Sequence, residues 1–163
     1  KNIPLALGAQ NVSPFETGAY TGEVAAAQIK ELADYVIIGH SERRQHFGET
    51  DEMLVQKVQR ATEAGLKVIF CVQDKDTLIP EGVEIVAYEP VFAIGSGTPD
   101  TPENAEDVAR AIKQTRSISV VLYGGSVTPE NINSFISQQS IDGVLVGGAS
   151  LEADSFLNLI QNA

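Results

Sequence analysis

What the chain has little of narrows it first. Of its 163 residues one is cysteine, Cys71, and none is tryptophan. A single thiol excludes an internal disulfide framework, so the fold must rest on packing and hydrogen bonds. Long apolar runs are missing too. No stretch approaches the roughly 20 residues of a membrane-crossing helix, and none has the pattern of a signal peptide. Basic residues are scarce, 11 Lys and Arg against 22 Asp and Glu, for a formal net charge of −11. That charge repels nucleic acid and anionic membrane surfaces within about one Debye length, so neither is an expected partner. An anionic small molecule would need a local set of donors, and the expected compartment is the cytoplasm. Asn11-Val12-Ser13 matches a glycosylation sequon, but without a secretory segment it reads as an ordinary loop asparagine.

What is present is enough to build a core: 43% of residues are hydrophobic, and residues 1–163 read as one globular domain. Short apolar runs at Leu5–Ala9, Tyr35–Ile38, Lys67–Val72, Glu84–Tyr88, Ile118–Tyr123 and Val144–Val146 read as buried strands. Helical patterns lie between them. Thr101-Pro102-Glu103-Asn104 supplies a cap and a first-turn proline ahead of the stripe Ala105, Val108, Ala109 and Ile112. Thr128-Pro129 repeats the device ahead of Ile132, Phe135 and Ile136, Ser150 caps a last helix, and a helix over Asp51–Ala64 stops at Gly65. Strand followed by helix, repeated, means an α/β fold with parallel strands and right-handed crossovers. The unusual residues follow many successive strands, which is the layout of a (β/α) barrel, not of an open sheet with one switch point.

Four stretches could carry chemistry. In Gly39-His40-Ser41-Glu42-Arg43-Arg44, a histidine beginning a helix sits at the positive end of the dipole, which favours neutral imidazole; a structural histidine is the plainer reading. Glu89 ends an apolar run in "AYEPVFAIGSGTP", where a buried carboxylate costs several kcal/mol unless it is paired or protonated. The segment Pro90–Gly97 behind it is apolar in the middle, with proline and glycines at its ends, as expected of a hinged lid. Tyr123-Gly124-Gly125-Ser126 and Val146-Gly147-Gly148-Ala149 place glycines after the last two strands, where backbone N–H groups can hold a phosphate even in an acidic protein. Cys71 reads as packing, no metal ligands cluster, and no cofactor is implied.

The stretches "GAQNV", "GAYTGEV", "YVIIGHSERR", "AYEPVFAIGSG", "YGGSV" and "GVLVGGASL" resemble, in order, the motifs of the triosephosphate isomerase family. The resemblance implies an incomplete (β/α)8 TIM barrel of about six strand-helix units, strands 3 to 8 of the family, and it implies exchange of glyceraldehyde 3-phosphate with dihydroxyacetone phosphate. Glu89 would be the base and His40 the electrophile; a neutral histidine in that role is the family's own established assignment. Gly95, Ser126, Gly147 and Gly148 would bind the phosphate, and Glu42 would support the site. The loop Val12–Gly22 resembles the one that reaches into a second subunit, so a homo-oligomer, a dimer or larger, is expected to cover the open edges. The family's asparagine-x-lysine after its first strand has no counterpart in these residues. This leaves a second expectation open: a catalytically impaired chain that keeps the phosphate loops and needs another chain to complete the barrel. The span Asp74–Glu84 is also too short for a full crossover helix.

Overall fold

The computed structural model describes residues 5–93, 98–115 and 118–163. By its contacts the chain forms two compact units, one running to Cys71 and taking in Leu78–Glu84, the other made of Val72–Thr77 and Ile85–Ala163. Its six strands follow one another in chain order.

In the first unit β1 (Gly8–Ala9), β2 (Tyr35–Ile38) and β3 (Lys67–Val72) pair in parallel, with Gly8 opposite Tyr35 and Val36 opposite Val68. β2 and β3 occupy the expected residues because Val36, Ile38, Val68 and Phe70 are all buried. β1 is shorter than the expected Leu5–Ala9. Leu5 and Leu7 stay 89% and 67% exposed, and the Leu7 carbonyl already accepts the Asp34 and Tyr35 N–H groups, which ends the ladder. The helices are α1 (Ala26–Lys30), α2 (Ser41–Phe47) and α3 (Asp51–Glu63). α3 begins where the Thr50 hydroxyl accepts the Met53 N–H, and just past its end lies Gly65 at φ 76°, a left-handed terminator. Its buried stripe is Leu54, Lys57, Val58 and Ala61, which puts a lysine on the core face.

In the second unit β4 (Ile85–Tyr88), β5 (Val120–Tyr123) and β6 (Gly143–Val144) pair in parallel, with Tyr88 opposite Tyr123 and Tyr123 opposite Val144. Between and after them run α4 (Pro102–Thr115), α5 (Ile132–Ile136) and α6 (Ala153–Asn162). The Thr101 hydroxyl accepts the Asn104 N–H, and Ala105, Ala109 and Ile112 are buried as the stripe requires. Burying Ile112 alone contributes about 1.5–3 kcal/mol. The expected second copy of this cap is not built. Asn131 Oδ1 takes the Thr128 N–H, an alternative local bond that keeps the chain in a turn, so α5 starts only at Ile132. Likewise the Ser150 hydroxyl bonds the Gly147 carbonyl inside a 3-10 turn (Gly148–Ser150), and Glu152 occupies the cap position of α6. Residues 73–84, between β3 and β4, hold no helix, and at a dozen residues they are at the lower limit for a parallel crossover.

Candidate active site

His40 is the cap residue of α2 in the first unit. Its Nδ1 accepts the Glu42 N–H at 3.3 Å. A ring nitrogen that accepts cannot carry a proton, so this bond assigns the ring proton to Nε2. Glu42 contributes through its backbone; its carboxylate is 3.9 Å from Nδ1 and 67% exposed. Further along α2, Arg43 Nε donates to Glu49 Oε1 at 2.5 Å, and Lys57 Nζ donates to the same oxygen at 2.5 Å and to Asn11 Oδ1 at 2.7 Å. Lys57 and Glu49 are both buried. Burial pushes the Glu49 carboxyl up, but the hydrogen bonds and charges of Lys57 and Arg43 outweigh it and hold the group below its ordinary value. This cluster ties Asn11, two residues past β1, the helix that His40 opens and α3 into one network. Asn11, the sequon residue, is thereby given a structural partner.

In the second unit Glu89 follows β4 and is 2% exposed. Its N–H donates to the Val72 carbonyl at 2.8 Å, and the Gly124 N–H donates to the Tyr88 carbonyl at 2.8 Å. A Cβ on Gly124 would lie 2.9 Å from Glu89 Cγ, and one on Gly125 would lie 2.7 Å from the Tyr123 hydroxyl and 3.0 Å from Ala93 Cβ. The Gly124-Gly125 pair is therefore required by close packing around Glu89 and Ala93. Gly147 and Gly148 differ, since nothing lies within 4 Å of an added Cβ at either. Ser126 has φ 34°, the only positive value at a described non-glycine residue, and its hydroxyl donates to the Ala93 carbonyl. Backbone strain of this kind costs on the order of 1–3 kcal/mol and gathers at functional sites. Glu89, Ser126 and the Gly147-Gly148 pair thus follow three neighbouring strands, β4, β5 and β6. Val91–Ala93 form a 3-10 turn after Glu89, with Val91 and Phe92 exposed. Gly95 lies outside the described residues, as does the rest of the expected lid up to Gly97.

Two features escaped the sequence reading. One is Lys57, whose signal was a charge on the stripe Leu54, Val58 and Ala61. The other is Asp100, buried at 8% exposure, which had no signal beyond its place before a helix cap. A concavity of about 350 Å³ in the first unit, lined by Phe15, Ala25, Ala26, Arg60 and Glu63, contains none of the expected site residues. Among the described residues no three His, Cys, Asp or Glu side chains are grouped to hold a metal ion, and no helix is long and apolar enough to cross a membrane.

The triosephosphate isomerase sequence profile matches residues 1–83 and 78–163. The chain belongs to the triosephosphate isomerase family. A triosephosphate isomerase of Dehalococcoides mccartyi is 41% identical over 192 aligned positions, covering 100% of this chain and 76% of the relative. One of Thermus thermophilus is 42% identical over 96% of this chain and 76% of the relative. The crystal structure of triosephosphate isomerase from Bartonella henselae matches 96% of this chain and 76% of its own with a TM-score of 0.84 at 34% identity. The six parallel strands are thus those of an incomplete TIM barrel. Because 163 residues fill an alignment of 192, about 29 positions of the Dehalococcoides relative have no partner inside the matched span. The two profile matches overlap at residues 78–83, in the connection that lacks a helix.

Proposed function

We propose that the chain carries out the isomerisation for which its relatives are named, exchanging glyceraldehyde 3-phosphate and dihydroxyacetone phosphate. The Glu89 carboxylate takes a proton from the carbon beside the carbonyl and returns it to the neighbouring carbon. His40 donates its Nε2–H to the carbonyl oxygen as that oxygen gains negative charge in the enediolate. The amides of Gly95, Ser126, Gly147 and Gly148 hold the phosphate, and Glu42 fixes the histidine tautomer. As His40 gives its Nε2 proton to the former carbonyl oxygen it takes up the proton of the neighbouring hydroxyl, so one proton passes between the carbons through Glu89, one between the oxygens through His40, and the reaction consumes no other reactant. The observation that carries this reading is the bond from the Glu42 N–H to His40 Nδ1, which puts the ring proton on Nε2. Burial of Glu89 supports it as a poised base. Turnover by the purified chain, falling by about 10²- to 10⁴-fold in Glu89→Gln, is the expected result. Background rates in the wild type overturn the reading of a self-sufficient enzyme.

A second reading is favoured by β1. Leu5 and Leu7 are exposed beside a two-residue strand, the kind of edge that another chain pairs with. Here the chain keeps its phosphate contacts and gains turnover only when a further chain, a second copy included, covers that edge. The stacked rings of Phe15 and Tyr20, 4.3 Å apart and each 45% exposed in the loop Val12–Gly22, are proposed to enter such a copy. Activity that rises with protein concentration and vanishes in Phe15→Ser supports it. Full activity in a strict monomer rules it out.

A further inference from the structure

We propose that Asp100 is a positioning residue for the reaction assigned to Glu89, acting through Tyr88; the inference rests on that assignment. Tyr88 and Tyr123 end β4 and β5 directly opposite one another, so their side chains share a face of the paired strands. Both hydroxyls converge on one residue twelve positions after Tyr88. Tyr88 Oη donates to Asp100 Oδ2 at 3.1 Å, and the Asp100 N–H donates to Tyr123 Oη at 2.8 Å. Asn104 Nδ2 donates to Oδ2 at 2.7 Å, and the Thr101 N–H donates to Oδ1 at 2.8 Å. Both carboxylate oxygens are thus engaged inside the protein.

Helix capping does not account for this arrangement. The Thr101 hydroxyl already takes the Asn104 N–H, and a capping carboxylate has no need to be desolvated at a cost of several kcal/mol. What the burial achieves is to fix the ring of Tyr88, the residue immediately before Glu89. The ladder bonds from Gly124 to Tyr88 and from Glu89 to Val72 hold the backbone there but not the ring. The ring is buried and tilted against that of Tyr123, 6.2 Å between centroids, and Asp100 adds the directional restraint on its hydroxyl that packing alone does not supply. Packing leaves Glu89 little slack, since the space beside its Cγ is closed to even one methyl group on Gly124. A shift of the strand end is therefore passed on to the carboxylate, and a misplacement of about 1 Å costs up to 10²-fold in rate.

Kinetics of Asp100→Ala, Asp100→Asn, Tyr88→Phe and the double variant Asp100→Ala/Tyr88→Phe test the proposal. In Asp100→Ala, kcat is expected to fall about ten- to hundredfold with KM changed less than about twofold, because orientation and not binding is lost. Asp100→Asn, which keeps an oxygen for Tyr88, recovers most of the rate. Tyr88→Phe matches Asp100→Ala, and the double variant is no slower than either. Additive losses, or a change in KM alone, overturn the proposal; so does an Asp100→Asn as slow as Asp100→Ala. If Asp100→Ala does not fold, the contrast between Tyr88→Phe and Asp100→Asn decides. Background turnover in the wild type defeats the isomerase reading separately. Positioning is then read from the 13C resonance of the Glu89 carboxyl: movement in Tyr88→Phe but not in Asp100→Asn upholds it, and no movement in either overturns it.

Discussion

Replacing Lys57 by methionine tests whether the buried ionic cluster of the first unit holds its elements together. Lys57 Nζ lies 2.5 Å from Glu49 Oε1 and 2.7 Å from Asn11 Oδ1, and its side chain is 3% exposed. Methionine matches the length of the stem but removes the charge. Glu49 is then left buried with Arg43 as its single cationic partner, on the same Oε1 atom, while its Oε2 already has no donor. Removing one member of a buried pair costs about 3–5 kcal/mol, chiefly through the stranded opposite charge. For a chain of this size that lowers Tm by roughly 6–20 °C. The Glu49→Leu/Lys57→Met double variant takes both charges away and is expected to regain most of the loss, as apolar replacements of buried pairs do. The acid side of the stability curve should change as well. Glu49 has its folded-state pKa held below the ordinary 4.5, so its contribution is present above that value and fades as pH falls through the lower folded one. Lys57→Met flattens that slope. Urea melts of the three proteins between pH 3 and pH 7 measure all of this. A single-variant loss under about 1 kcal/mol, or a double variant that loses the full sum of the singles, refutes the reasoning.

Three further outcomes concern the second unit and one the first. Gly124→Ala places a methyl group against Glu89 Cγ and the Tyr88 carbonyl, so it is expected to cost about 1–3 kcal/mol in a urea melt and to lower kcat by displacing the base. Gly147→Ala, with open space around it, should leave stability within about 0.5 kcal/mol and alter phosphate affinity instead, readable by titration with inorganic phosphate. Burial pushes the Tyr123 hydroxyl up to about 12, whereas an unfolded chain ionises it near 10. Its stabilising contribution is thus whole below pH 10 and is lost as pH rises toward 12; Tyr123→Phe should flatten the alkaline fall in the urea midpoint, and absorbance at 295 nm reports the ionisation itself. In the first unit, Leu5 and Leu7 are so exposed that changing both to serine should leave the melt of a monomer unmoved, while abolishing any concentration-dependent assembly seen by sedimentation.

Sequence alone determined much of this protein. The apolar runs placed β2 and β3 to the residue, because residues that pack on neighbouring elements must be apolar and both strands stop where the run does. It also placed α3 and its terminator, since Thr50 and Gly65 act through local backbone geometry that needs no distant partner. Local signals failed where a competing local bond existed, at Thr128 and Ser150, and at Leu5–Leu7, where the apolar side chains stay exposed. The candidate site divides in the same way. His40 at a helix start and Glu89 at a strand end were legible, because each position follows from the element beside it. Tertiary structure alone decided that Gly124 is a glycine for the sake of Glu89, that Lys57 joins Glu49 and Asn11, and that Asp100 receives the hydroxyl of Tyr88. Each of these joins residues on different elements. A short-range pattern records which face a residue occupies, but a close approach or a hydrogen bond between faces exists only once the strands are paired.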